Sequence, residues 1–302
     1  MHAEDYPGKP IKLVVPYPPG GGTDIVARII AEKLQAKWGQ PVIVENRAGA
    51  SGNIGAEGVF RSQPDGYTLL LAVPGPLVIH KSLYPKLAYD SDAFVPVSVI
   101  ATIPLVLLVH PKVTAESVQQ LIAFAKANPG RLNYASQGVG SPAYLGAELF
   151  KLMADVKITE VPYKGTGPAL ADLLAGHVDM MFGELASAGQ HLRGGKLRAL
   201  AVAGDKAHPM LPKIPVISEV LPGFDAAVFY GVVAPPGTPP VIANKLSGAI
   251  AEAIRQPDVA QRLTDLSMVT TGGSTPAEMG VFMRQERERW GKVIRAIGAT
   301  AE

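Results

Sequence analysis

The residues best placed for chemistry in this chain are glycines, and the chemistry they suit is binding. The run Val14-Val15-Pro16-Tyr17-Pro18-Pro19-Gly20-Gly21-Gly22-Thr23-Asp24-Ile25 follows a short β-branched stretch, Ile11-Lys12-Leu13-Val14-Val15, which reads as a buried strand. After it, Ile25, Ile29, Ile30 and Leu34 fall at helical spacing. The prolines end the strand's ladder. The glycines let the backbone turn sharply and leave no Cβ in a ligand's way. Thr23 or Asp24 is expected to cap the helix. The product is a row of N–H groups at a helix start, which attracts an anion. A plain βα turn would need fewer than three consecutive glycines.

The design recurs. A strand over residues 41–46 enters Arg47-Ala48-Gly49-Ala50-Ser51-Gly52-Asn53, before a helical stretch over 54–60. A strand over 67–73 ends at Pro74-Gly75-Pro76. In an open parallel sheet such loops gather beyond the C-terminal strand edge, where ligands bind. A second unit begins near Pro104. Its strand over 132–136 enters Gln137-Gly138-Val139-Gly140-Ser141-Pro142, and Pro142 suits the first turn of the next helix. Its strand over 158–163 enters Lys164-Gly165-Thr166-Gly167-Pro168, before a helix over 169–175. A further strand ends at Phe182-Gly183-Glu184. Thr114 is expected to cap a helix over 115–127. Helices over 239–255, 258–266 and 275–299 close the chain.

Other chemistries fit less well. A Walker loop needs Gly-Lys-Ser/Thr after its glycines, and Gly22 is followed by Thr23-Asp24. A dinucleotide reading draws on the first βαβ pattern with Glu45 closing the second strand, so an NAD-dependent oxidoreductase is a rival. Its third glycine position falls on Ile25. Gly49-Ala50-Ser51-Gly52-Asn53 fails as a nucleophile elbow at its last position. His2, His80, His110, His177, His191 and His208 form no zinc pattern and read as loop or surface residues; His177-Val178-Asp179 is a weak metal candidate. Asp24 reads as a cap and not a catalyst. The sequence offers anion sites without a catalytic set, metal or cofactor.

Composition sets the frame. At 302 residues, two domains are the default. Hydrophobic residues at 47% supply a sizeable core, and charged residues at 18% exclude a charge-rich disordered chain. A net charge of +2 gives no electrostatic footprint for nucleic acid. Without cysteine there is no disulfide or thiolate nucleophile. Residues 93–109 are uncharged, but Pro96 and Pro104 interrupt them, so two buried strands fit better than a membrane helix. The opening residues lack an apolar leader segment, as expected after removal of a signal peptide.

The chain resembles the periplasmic solute-binding proteins of tripartite tricarboxylate transporters, the TctC or Bug family, over essentially its whole length. The resemblance is carried by Tyr6-Pro7-Gly8-Lys9-Pro10-Ile11, by Val15 through Asp24, and by Val44-Glu45-Asn46-Arg47-Ala48-Gly49-Ala50-Ser51-Gly52-Asn53-Ile54-Gly55. It continues in Pro64-Asp65-Gly66-Tyr67-Thr68-Leu69-Leu70, Leu132-Asn133-Tyr134-Ala135-Ser136, Val161-Pro162-Tyr163-Lys164-Gly165, Gly195-Lys196-Leu197-Arg198-Ala199-Leu200-Ala201-Val202 and Ala234-Pro235-Pro236-Gly237-Thr238-Pro239.

The resemblance implies an α/β fold of the periplasmic binding protein type II, or Venus flytrap, kind. Its two α/β domains are joined by a two-crossing hinge near 101–104 and 224–228. Residues 1–102 plus 226–302 form the first domain, and residues 103–225 the second, which closes over the ligand. It implies a periplasmic, monomeric, non-enzymatic protein that captures a small carboxylate and delivers it to a membrane permease; a carboxylate-sensing subunit of a signalling system is the alternative. One ligand carboxylate would be held at Gly20, Gly21, Gly22, Thr23 and Asp24, with Tyr17 beside them, and at Ala50, Ser51, Gly52 and Asn53. The opposite end would meet Pro74 and Gly75, then Gly138, Gly140, Ser141 and Tyr144, then Lys164, Gly165, Thr166 and Gly167. Phe182, Gly183, Glu184, Phe229 and Tyr230 complete the expected set.

The chain departs from the family at the variable end of the ligand. Gly183-Glu184 stands where Asp-Asn is usual, Tyr144 where histidine is frequent, and Pro74 where small hydroxylated residues are common. Without an acid at 183 to meet an ammonium, and with four aromatics at hand, the expected ligand is a dicarboxylate without an amino group, aromatic or longer aliphatic.

Overall fold

The computed structural model describes residues 6–204 and 206–301; His2 and the other opening residues lie outside them. In chain order the elements are β1 (Ile11–Val15), α1 (Gly22–Trp38), β2 (Val42–Asn46), α2 (Asn53–Phe60), β3 (Thr68–Ala72), α3 (His80–Leu83), β4 (Val95–Ile103), β5 (Leu105–Val109), α4 (Val118–Ala127), β6 (Asn133–Ser136), α5 (Pro142–Ala154), β7 (Thr159–Pro162), α6 (Thr166–Leu174), β8 (Met180–Gly183), α7 (Leu185–Arg193), β9 (Arg198–Ala203), β10 (Val228–Ala234), α8 (Pro240–Ile254), α9 (Pro257–Asp265), β11 (Val269–Thr270) and α10 (Pro276–Ile297). They divide into two compact units. One holds the chain up to Thr102 together with Phe229–Lys292; the other holds Ile103–Val228 together with Val293–Ala301.

The first unit is built on a six-stranded sheet in the order β11-β4-β10-β3-β1-β2. β1 pairs parallel with both β2 and β3, so these three strands end at one edge. β10 runs antiparallel to β3 with Gly231 opposite Ala72, which brings the start of β10 to that edge. β1 is buried because helices cover it: Ile11, Leu13, Val14 and Val15 have at most 1% of their surface exposed. α1 turns Val26, Ile29, Ile30 and Leu34 inward and packs against α8. The uncharged stretch 93–109 is two strands, β4 and β5. No helix among the described residues is long and apolar enough to cross a membrane.

The second unit has a five-stranded sheet, β7-β6-β8-β5-β9. β6 is parallel to β7 and β8, so the loops after these three strands share an edge. β5 runs antiparallel to β8 and β9. Val106, Leu108, Ala135, Leu173 and Met181 belong to one core cluster. Elsewhere Phe182 lies between Phe150 and Phe224, with ring centroids at 6.0 and 5.8 Å.

Two expected helix starts are corrected. α4 is capped by Ser117, whose Oγ accepts from Gln120 N–H at 3.2 Å, and not by Thr114. α6 begins three residues early, at Thr166. Pro168 does not bar it, because a first-turn N–H has no intrahelical partner to lose.

Candidate functional site

In the first unit three loops meet at the edge where β1, β2 and β3 end. α1 starts at Gly22 with Gly21 as its N-cap and no side-chain cap, so neither Thr23 nor Asp24 caps it. The first intrahelical bond is Ile25 N–H to Gly21 C=O at 3.0 Å. The N–H groups of Gly22, Thr23 and Asp24 precede it and are the donors such a turn leaves over.

Asp24 is a clamp. Its Oδ2 accepts from Gly20 N–H at 2.9 Å and Arg28 Nε at 3.0 Å. Its Oδ1 accepts from Asn46 Nδ2 at 3.0 Å and faces Arg28 Nη2 at 3.0 Å. Asn46 Nδ2 also reaches Tyr17 C=O at 3.1 Å. The Arg28 hydrogen bond, helped by Gly20 and Asn46, holds the Asp24 carboxyl below its ordinary range against the opposing effect of burial. The Gly20 N–H is therefore spent within the loop, and the acid ties the loop to the end of β2.

The second loop is strained. Gly49, Ala50, Ser51 and Gly52 have φ of 135°, 46°, 54° and 95° in succession. Two of the four carry a Cβ in the left-handed region, which costs energy and persists where the surroundings enforce it. Gly52 N–H bonds Gly49 C=O at 2.9 Å, and Asn53 N–H bonds Ala50 C=O. Those two backbone donors also close inside the loop.

The loops touch through Gly52. A Cβ there would lie 3.0 Å from Pro76 Cγ and 3.2 Å from Tyr17 Oη. Burial raises the Tyr17 phenol above its usual range, with Tyr84 adding to it. Pro74 precedes a π-helical turn, Gly75–Ile79, which leads into His80. Tyr230 belongs to the same edge: a Cβ at position 22 would lie 3.0 Å from its Oη. Phe229 does not. It is fully buried, with Phe282 edge-on at 4.9 Å, because alternation along β10 turns it away from Tyr230.

In the second unit the loops after β6, β7 and β8 share an edge. Gly138 and Gly140 have positive φ of 88° and 83°. Ser136 Oγ accepts from Gly138 N–H at 2.9 Å and donates to Glu160 at 2.5 Å. Ser141 caps α5 by accepting from Tyr144 N–H at 3.2 Å. Burial, then the charges of Glu148 and Glu160, push the Tyr144 phenol up to about 12. Lys164 precedes Gly165, the N-cap of α6; a Cβ at Gly165 or Gly167 would meet nothing within 4 Å. Thr166, the first residue of α6, is exposed. Glu184 precedes α7, half-buried, and burial raises its carboxyl above the ordinary range.

Phe182 and Gly183, expected at the site, lie in the core. Phe182 is fully buried among phenylalanines. A Cβ at Gly183 would lie 2.8 Å from Leu108 Cδ1, inside the core, so this glycine opens no pocket. His80, expected at a surface or in a loop, is buried on α3. His177 turns to Asp172 at 3.3 Å and Asp179 to Lys112 at 3.0 Å, so the two share no site. Sequence reasoning did not single out Asn46 and Pro76, which join the loops of the first unit, although both lay inside quoted loop motifs.

Residues 26–299 match the family model described as tripartite tricarboxylate transporter family receptor, TctC. Protein BugT of Bordetella pertussis is 41% identical over 302 residues, covering 99% of this chain and 92% of BugT. A solved structure of Rpa4515 from R. palustris with adipate is 37% identical, with a TM-score of 0.81, covering 98% of this chain and 99% of that one. MatC (Rpa3494) from Rhodopseudomonas palustris with bound malate is 35% identical, with a TM-score of 0.77, covering 96% and 100%.

Proposed function

This chain belongs to the TctC family of tripartite tricarboxylate transporter receptors, and from that premise we propose that it is a periplasmic solute-binding protein for a small dicarboxylate. Its task is to capture the acid and hand it to a membrane permease of the transporter. The observation that carries the reading is the meeting of three loops in the first unit around the uncapped start of α1. There the N–H groups of Gly22, Thr23 and Asp24 stand ahead of the first intrahelical bond. Such a turn favours a carboxylate by dipole and by hydrogen bond. Relatives bound to adipate and to malate support the ligand class.

The ligand is a diacid without an amino group, and aliphatic. Two of the four aromatics that favoured an aromatic body, Phe182 and Phe229, are core residues. The site residues are Gly21 through Asp24, Ser51, Gly52, Asn53, Tyr17 and Tyr230 in the first unit. In the second they are Gly138 through Ser141, Tyr144, Lys164 through Gly167, and Glu184. The test is a thermal-shift and calorimetry panel of adipate, malate, terephthalate and glutamate, since a ligand that binds only the native state raises its stability. Adipate or malate should shift the melt and titrate to saturation. No shift with any diacid refutes the reading; tighter binding of glutamate than of adipate refutes the preference. Co-purification of a permease with the ligand-loaded protein tests the delivery step.

A further inference from the structure

Asn53 opens α2, directly after the four left-handed residues. With the backbone N–H groups of Gly52, Asn53 and Ile54 turned onto Gly49 and Ala50, the side chain of Asn53 is a further donor at this helix start. The Asn53 amide is arranged for that role. Its Oδ1 lies 2.7 Å from His80 Nδ1 and accepts from Tyr89 Oη at 3.0 Å. Its Nδ2 has no partner among the described residues. An amide is planar, with oxygen and NH2 on opposite sides, so holding Oδ1 on two donors fixes where Nδ2 points.

We propose that His80 and Tyr89 are positioning residues of the carboxylate site, which hold Asn53 Oδ1 inward so that its Nδ2 hydrogens are offered to the ligand's carboxylate. The assignment rests on the carboxylate-receptor reading above. His80 governs the arrangement. Burial pushes its imidazole down to about 4, so at neutral pH it carries one N–H. With that proton on Nδ1, the ring donates to Oδ1. With the proton on Nε2, two lone pairs would face each other at 2.7 Å, and the amide would turn its oxygen toward the anion. Tyr89 cannot decide the matter alone, because its single proton is shared between Asn53 Oδ1 and Pro76 C=O, each at 3.0 Å. The ring also needs its space: a Cβ at Gly75 would stand 2.8 Å from His80 Nε2. That gives Gly75 a supporting role.

Calorimetry with adipate on the full chain tests the proposal. Asn53→Ala should weaken binding roughly 10- to 100-fold, the range for losing one hydrogen bond to a charged group. His80→Gln removes the donor at the Nδ1 position and should weaken binding comparably. His80→Asn, whose amide nitrogen mimics Nδ1, should restore most of it. Adding His80→Gln to Asn53→Ala should cost nothing further, a result that a purely structural histidine would not give. Tyr89→Phe, a milder variant that removes one hydroxyl, should give a smaller loss. If wild type binds adipate while Asn53→Ala binds within about twofold of it, the assignment falls and the receptor reading stands. Equal losses from His80→Gln in both backgrounds overturn it likewise. If wild type binds no diacid, the receptor reading falls first and takes this with it.

Discussion

Replacing Asp24 by asparagine should loosen the first glycine loop without changing its volume. In the native protein both carboxylate oxygens face only donors: Gly20 N–H and Arg28 Nε on one, Asn46 Nδ2 and Arg28 Nη2 on the other. An asparagine has one oxygen, so whichever way its amide turns, an NH2 faces a donor. The Arg28 side chain is about half exposed, so its ion pair is screened and contributes little. The main loss is the donor left unpaired, Gly20 N–H or Asn46 Nδ2, which costs about 2 kcal/mol. For a chain of this length that lowers the melting temperature by about 4 °C. The pH dependence fixes the cause. Because the folded-state carboxyl lies below its ordinary value, the wild-type advantage is full above about pH 3.9 and vanishes as the pH falls through the lower folded-state value. Melts of both proteins at and below neutral pH should therefore show a gap that is constant down to about pH 3.9 and narrows below it. Equal melting temperatures at pH 7, or a gap that does not narrow at all below about pH 3.9, would refute the clamp.

Gly21→Val should weaken adipate binding by orders of magnitude while the melt stays near wild type, because this N-cap has φ of −79° and its nearest neighbour is Pro18 O at 4.0 Å; unchanged affinity removes that loop from the site. Phe182→Ala should cost about 3–5 kcal/mol of stability and leave any residual affinity intact, since the ring is core; a selective loss of affinity in a protein of native stability would return it to the site. Glu184→Gln should raise the melting temperature at pH 7, because burial penalises the charged form. That gain should shrink to nothing below about pH 4.3, where the side chain is protonated in both states; a gain that stays constant with pH contradicts burial as the cause.

The sequence by itself determined the α/β architecture, the family and the loops. Strand and helix periods are local, so β1 and α1 were legible from β-branched runs and from Ile25, Ile29, Ile30 and Leu34. Gly20, Gly21 and Gly22 announced a helix start free of side chains because glycine alone carries no Cβ. What each polar atom bonds to was decided only by tertiary structure. Asp24 looked like a cap, since caps are a local pattern, yet its partners Asn46 and Arg28 come from the end of β2 and the next turn of α1. Phe182 and Phe229 looked like pocket walls because composition names an aromatic without its direction; strand alternation and the neighbours Phe150, Phe224 and Phe282 set that direction. His80 and Tyr89 stand 27 and 36 residues from Asn53 in the chain. No spacing rule joins them. Only the packing of the turn after β3 beside the start of α2 brings their donors onto one amide oxygen.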